Sequence, residues 1–176
     1  MQLSKALPHT LDEVNGWNQA AFARILGPVF EHSPWVAERT WSTRPFDSLD
    51  ALHQALCQTV RATAEEEKLA LIQAHPDLVG RAALAGGLTA SSAHEQASAG
   101  LDKLSPEEIK LFAAFNNVYQ DRFGFPFVVC ARLNKKAAIL EGFRTRLQHS
   151  RTEEIQRALD EIGRIAYLRL LDLIQP

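Results

Sequence analysis

In QAHPDLVGR (73–81) a histidine stands directly before a proline. Pro76 disfavours helical geometry at His75, so an apolar helix must stop there and hold the imidazole at a defined break. Histidine titrates near neutral pH and can give or take a proton. The plainer reading is a helix-end ring bonded to a carbonyl. Two other residues offer chemistry. Glu95 stands three positions after Ser92, where it either completes a capping box contributing about 1 kcal/mol or supplies a carboxylate to a site. Arg169 lies among apolar residues near the end of the chain, where a guanidinium pairs with an internal acid or binds a substrate carboxylate. His75, Asp77, His94 and Glu95 are residue types that suit zinc, but their spacing matches no metal motif.

Other candidates read as structural. His53 sits beside an apolar stripe, and His9 and His149 fall near expected helix ends, where solvent reaches them. There is no phosphate loop, dinucleotide fingerprint or GxSxG. FGFPF (123–127) has the composition of core. Taken without any likeness to known proteins, the residues stop at an all-α domain carrying side chains fit for catalysis, and leave open two readings: a metal-dependent hydrolase using His75, Asp77, His94 and Glu95, and a helical interaction module that binds through FGFPF.

The elements that must carry these residues are helical almost throughout. Thr10 to Glu13 has capping-box form, and Val14, Trp17, Ala21 and Ile25 follow at helical spacing up to Gly27-Pro28. A loop containing Ser33-Pro34-Trp35 and Arg44-Pro45-Phe46 comes next. Asp47 or Ser48 caps a helix with the stripe Leu49, Leu52, Leu56 and Val60. Thr63 to Glu66 repeats the box before a helix ending at Gln73 or Ala74. Residues 80–104 are rich in Gly, Ala, Ser and Thr and read as a loop with one or two helical turns closed by Gly100. Ser105-Pro106-Glu107-Glu108 is a strong helix start, with Ile109, Phe112, Phe115, Tyr119 and Phe123 facing inward and Gly124 as the stop. Phe125 to Cys130 begins another helix or forms a short buried strand. Two more helices span roughly 135–148 and 150–173. The expected fold is all-α: a single compact domain over 1–176 with seven to nine helices and no significant sheet.

Composition narrows the class. With 46% apolar residues, 19 basic against 21 acidic side chains and a net charge of −2, the chain has no nucleic-acid footprint. No stretch has the length of a membrane span. Cys57 and Cys130 form no CxxC, Met1–His9 does not read as a secretory leader, and the C-terminus carries no peroxisomal or ER address. These features read as a reduced cytoplasmic protein.

Five segments in order, RPF (44–46), AHPDLVGR (74–81), LTASSAHEQASAGLD (88–102), NNVYQDRFGFPFVVCAR (116–132) and ALDEIGRIAYLRL (158–170), closely resemble the OHCU decarboxylase family. Those enzymes convert 2-oxo-4-hydroxy-4-carboxy-5-ureidoimidazoline (OHCU) to (S)-allantoin in urate degradation. The resemblance implies an all-helical, homodimeric enzyme with a small-molecule substrate and no cofactor or metal. It makes His75 the proton donor and Glu95 the second catalytic residue. It also implies substrate contacts from Pro76, from Ser92, Ala93, His94, Glu95 and Gln96, from Phe127, Val128, Val129, Cys130 and Ala131 (largely through backbone), and from Arg169.

Overall fold

Helix boundaries follow local chemistry. In the computed structural model, residues 8–80, 83 and 85–175 are described. The leader reading of residues 1–7, Arg81 of the AHPDLVGR segment and the terminal Pro176 lie outside the described residues. Nine α-helices are found among those described: α1 Leu11–Gly16, α2 Gln19–Leu26, α3 Trp35–Thr40, α4 Leu49–Ala62, α5 Glu65–Gln73, α6 Ala90–Ser98, α7 Pro106–Phe123, α8 Lys136–Arg146 and α9 Arg151–Leu173. There is no strand among them, and the single β-bridge joins His9 to Ile174.

Both strong sequence boxes form. Thr10 caps α1 reciprocally with Glu13, and Ser105 caps α7 with Glu108 behind Pro106. Gly124, at φ 80°, ends α7 in the left-handed region that glycine enters freely. Five expectations change. The first helix is two, because Asn18 caps a new start by accepting from the Ala21 N–H. The Ser33–Phe46 loop contains α3, which begins just after Pro34. Thr63 ends α4, and α5 starts at Ala64 without a side-chain cap, so that box is absent. Thr89, not Ser92, caps α6, which puts Ser92 and Glu95 inside the helix. Phe125–Cys130 is neither helix nor strand but buried extended chain running into a 3-10 turn at Ala131–Leu133.

The chain groups into two compact units, Met1–Thr63 with Ala166–Pro176, and Ala64–Ile165. In the first, α3 packs against α2 and α4, burying Phe22, Leu26, Val36, Leu52 and Leu56. Arg44 of RPF donates to the Trp41, Asn15 and Trp17 carbonyls, while Asn15 pairs with both backbone groups of Phe46. His53 is structural as expected: its Nε2 lies 3.3 Å from Cys57 Sγ and its ring meets Tyr167 edge-on.

The second unit is built on the aromatics of FGFPF. Phe127 stacks on Phe143 at 3.8 Å, and Tyr119 packs against Phe123, Phe125 and Phe127. Beside them lies Glu154, fully buried. Arg146 reaches it at 2.9 Å, His149 at 2.7 Å, and the Tyr119 hydroxyl donates to it. Burial pushes the Tyr119 hydroxyl well above its ordinary range, so it stays a donor. Arg146 also donates to the Val128 carbonyl at 2.7 Å and lies over the Phe127 ring. His149 is therefore a partner of this acid and not a merely solvated side chain.

Removing one partner of a buried ion pair strands the other charge, at a cost of about 3–5 kcal/mol. Arg146→Met is expected to destabilise by that order in urea denaturation. Ser105→Ala, which removes only a cap, should cost about 1 kcal/mol.

Candidate active site

The geometry at His75 starts from an N–H that is missing. In a continuing helix, the N–H of residue 76 would reach the Ile72 carbonyl, but Pro76 has none. The His75 N–H turns to Ile72 instead, at 3.1 Å. The Leu71 carbonyl, which His75 would otherwise have occupied, accepts from ring Nδ1 at 2.9 Å. The carbonyl reading of this histidine thus describes half of it. Because a carbonyl only accepts, the neutral ring carries its proton on Nδ1, and Nε2 is the nitrogen that takes or gives a proton. The residue as a whole is buried, 7% exposed.

The loop after Pro76 is held by side-chain amides. Gln96 Oε1 accepts from the Val79 N–H at 3.0 Å, and its Nε2 donates to the Asp77 carbonyl at 3.3 Å. Asn116 Nδ2 donates to the Leu78 carbonyl at 2.8 Å, and Gln120 Nε2 to Asp77 Oδ1 at 2.7 Å. These bonds maintain Val79 at φ 55°, a left-handed conformation that costs a β-branched residue about 1–3 kcal/mol. Gly80 is required here, since a Cβ on it would stand 2.6 Å from that of Asp77. Burial raises the Asp77 carboxyl above its ordinary range, and the bond from Gln120 draws it part of the way back.

Through Gln96, helix α6 is tied to this loop. Its inward face is polar: Ser92, Glu95 (8% exposed) and Gln96 are buried, while Ala93 and His94 are exposed. The helix packs on the turn Ala131–Leu133. There Cys130 N–H donates to buried Glu161 at 2.9 Å, whose other partners are Arg157 at 2.8 Å and Arg164 at 2.7 Å. Burial, with the Glu161 and Glu95 carboxylates nearby, holds the Cys130 thiol up, so it is not a thiolate nucleophile. Phe127, Val128 and Ala131 are buried and Val129 half-buried. Several backbone groups of this stretch are already engaged: Val128 C=O by Arg146, Cys130 N–H by Glu161, Cys130 C=O by the Leu133 N–H and Asn134 Nδ2, and Ala131 C=O by the Asn134 N–H.

The structure therefore joins the His75 loop to α6 and joins α6 to the Cys130 turn. It puts His94 on the outer face of α6, away from the buried Glu95. Among the described residues, no three His, Cys, Asp or Glu side chains converge as metal ligands. A cavity of about 360 Å³ takes Val79, Ala93 and Gln96 into its wall but neither His75 nor Glu95. Arg169, in the other unit, is buried and bonded to buried Glu31 at 2.8 Å, with the Pro28 and Val29 carbonyls also accepting. The internal acid expected for it is present. Asn116 and Gln120 were not singled out from sequence; their spacing of four on one helix, both amides, was the available signal.

Over residues 15–171 the chain matches the OHCU decarboxylase family. It is 42% identical to the 2-oxo-4-hydroxy-4-carboxy-5-ureidoimidazoline decarboxylase of Halalkalicoccus jeotgali, across 95% of this chain and 93% of that protein. It is 40% identical to the uric acid degradation bifunctional protein of Bacillus subtilis, across 94% of this chain but 33% of that protein. A crystal structure of (S)-allantoin synthase superposes with TM-score 0.76 at 28% identity, over 96% of this chain and about half, 54%, of the other.

The shift at Asp77 has a signed consequence. A carboxyl whose pKa is raised by folding binds its proton more tightly in the folded state. Its ionisation therefore opposes folding, absent below the unfolded carboxylate value of about 3.9 and complete above the raised one. Asp77→Asn keeps an acceptor for Gln120, so its Tm relative to wild type should rise between pH 4 and pH 7 in thermal melts.

Proposed function

Because the chain belongs to the OHCU decarboxylase family, carboxy-lyases of urate degradation, we propose that it converts OHCU to (S)-allantoin with His75 as proton donor. The observation that carries this reading is the fixed imidazole. Nδ1 is bound to a helix-end carbonyl, so the proton-exchanging Nε2 has a set direction, and the amide-tied loop beside it joins it to the buried polar face of α6.

The substrate carries its own electron sink. Its carboxylate sits on a carbon next to a ring C=N carbon. When the C–C bond to the carboxylate breaks, that electron pair forms a ring C=C bond and the imine pair moves to nitrogen, which is protonated. The product of this step is an enol. Loss of the enol proton and delivery of a proton to one face of the ureido-bearing carbon give allantoin of one hand. A coenzyme is not needed to accept the electrons, so the protein's tasks are orientation and one stereospecific proton.

His75 delivers that proton. Glu95, buried on the inward face of α6, orients the imidazole, engages the substrate hydroxyl or takes its proton. Pro76, Ser92, Gln96 and the backbone of 127–131 shape the site, with Ala93 and His94 contributing from the outer face of α6. Arg169 binds a substrate anion while Glu31 holds it. The same reading makes the protein a cytoplasmic homodimer.

A positioned general acid contributes about 10²–10⁴-fold. His75→Asn preserves a donor for the Leu71 carbonyl and should fold, with kcat lower by that factor and the excess of (S)-allantoin lost. The assay generates OHCU in place with urate oxidase and hydroxyisourate hydrolase and follows optical activity. Near wild-type formation of the S product by the folded variant would sink the assignment. For the dimer, sedimentation equilibrium should return twice the 19.6 kDa chain mass.

A further inference from the structure

We propose that Asn116 and Gln120 of α7, acting with Gln96 of α6, are positioning residues that set the His75 ring through the backbone of 77–79. The proposal rests on the reading of His75 as proton donor.

In the loop following Pro76 the backbone itself supplies one turn bond, Gly80 N–H to Asp77 C=O at 3.4 Å, while Asp77 C=O, Leu78 C=O and Val79 N–H each take a further or sole bond from outside the loop. All three are taken by side-chain amides, and a fourth amide bond holds the Asp77 carboxylate. The side chains come from two helices, so the loop is fixed from two directions while Val79, the residue immediately before Gly80, keeps a left-handed φ of 55°. Gln96 is tied at both ends of its amide to loop backbone, which makes it a brace for His75 as well as part of the polar face of α6.

Asn116 is the informative member. It is 5% exposed, and its Oδ1 has no hydrogen-bond partner among the described residues. A residue present only to fill space would not carry a buried acceptor without a partner; such exceptions to local rules gather where a site must be held in shape. The other amide hydrogen-bonding group, Nδ2, goes to the Leu78 carbonyl, three residues from the imidazole. Misplacing a catalytic group by about 1 Å can cost on the order of 10²-fold in rate, so loosening this brace should act on kcat.

The test uses Asn116→Leu, which retains bulk but cannot donate, and Gln120→Ala at an exposed position where folding is not at risk. Each is read by kcat, KM, the handedness of nascent allantoin, and the NMR titration of the His75 ring. Asn116→Leu should lower kcat about 10- to 100-fold with KM within about threefold, reduce the S excess and move the ring titration. Gln120→Ala should act in the same direction by about two- to fivefold, as befits one exposed bond. Wild-type values of all four quantities would overturn the proposal, as would a lowered kcat with an unmoved ring titration. A moved ring with unchanged kcat and handedness upholds the brace and counts against His75 as proton donor. If Asn116→Leu does not fold, Gln120→Ala decides by the same criteria.

Discussion

Pro76 has no N–H, and the orientation of the candidate catalytic ring descends from that. Without it, the last carbonyls of α5 change partners: Ile72 accepts from the His75 backbone and Leu71 from the imidazole. One covalent feature thus ends the helix, selects the Nδ1–H form of the neutral ring and points Nε2. A histidine inside a helix would have had its i−4 carbonyl filled by its own backbone. The ring could then have been aimed only by other side chains, each adding rotamer freedom to be lost on folding.

The remaining constraint is polar and comes from a distance. Gln96, Asn116 and Gln120 convert a loop with a single long turn bond of its own into one with fixed backbone. Their helices are in turn held by groups with no chemistry of their own. The FGFPF aromatics pack α7 against α8, and Arg146 bridges buried Glu154 to the Val128 carbonyl. Glu161 does the same for the Cys130 N–H with two arginines. Buried acids paired this way are weak sources of net stability but costly to break. They hold an irregular, buried segment to one conformation where a purely apolar core would tolerate several.

Much of the helix content was legible because its signals are local. Capping boxes at Thr10 and Ser105, the glycine stop at Gly124 and the stripe Leu49, Leu52, Leu56, Val60 each lie within a single helix or its ends and formed as read. Where two local signals competed, sequence could not arbitrate. Thr89 and Ser92 are both competent caps, and only the packing of α6 put Ser92 and Glu95 on its inward face. Thr63 had the chemistry of a cap for α5 but was already engaged at the end of α4.

The sequence alone determined that the chain is helical, that α5 must stop just before His75, and, through its motifs, the enzyme family. Each rests on covalent or near-neighbour constraints: a missing N–H, a hydroxyl within reach of its own turn, an ordered series of short segments. Tertiary structure decided which carboxylate meets Arg169, which helix face carries Glu95, and that amides at 96, 116 and 120 converge on the loop at 77–79. Those pairings join residues from 17 to well over 100 positions apart. Hydrogen bonds and ion pairs are short-ranged, so their partners are defined only once packing of the apolar faces has brought separate helices together.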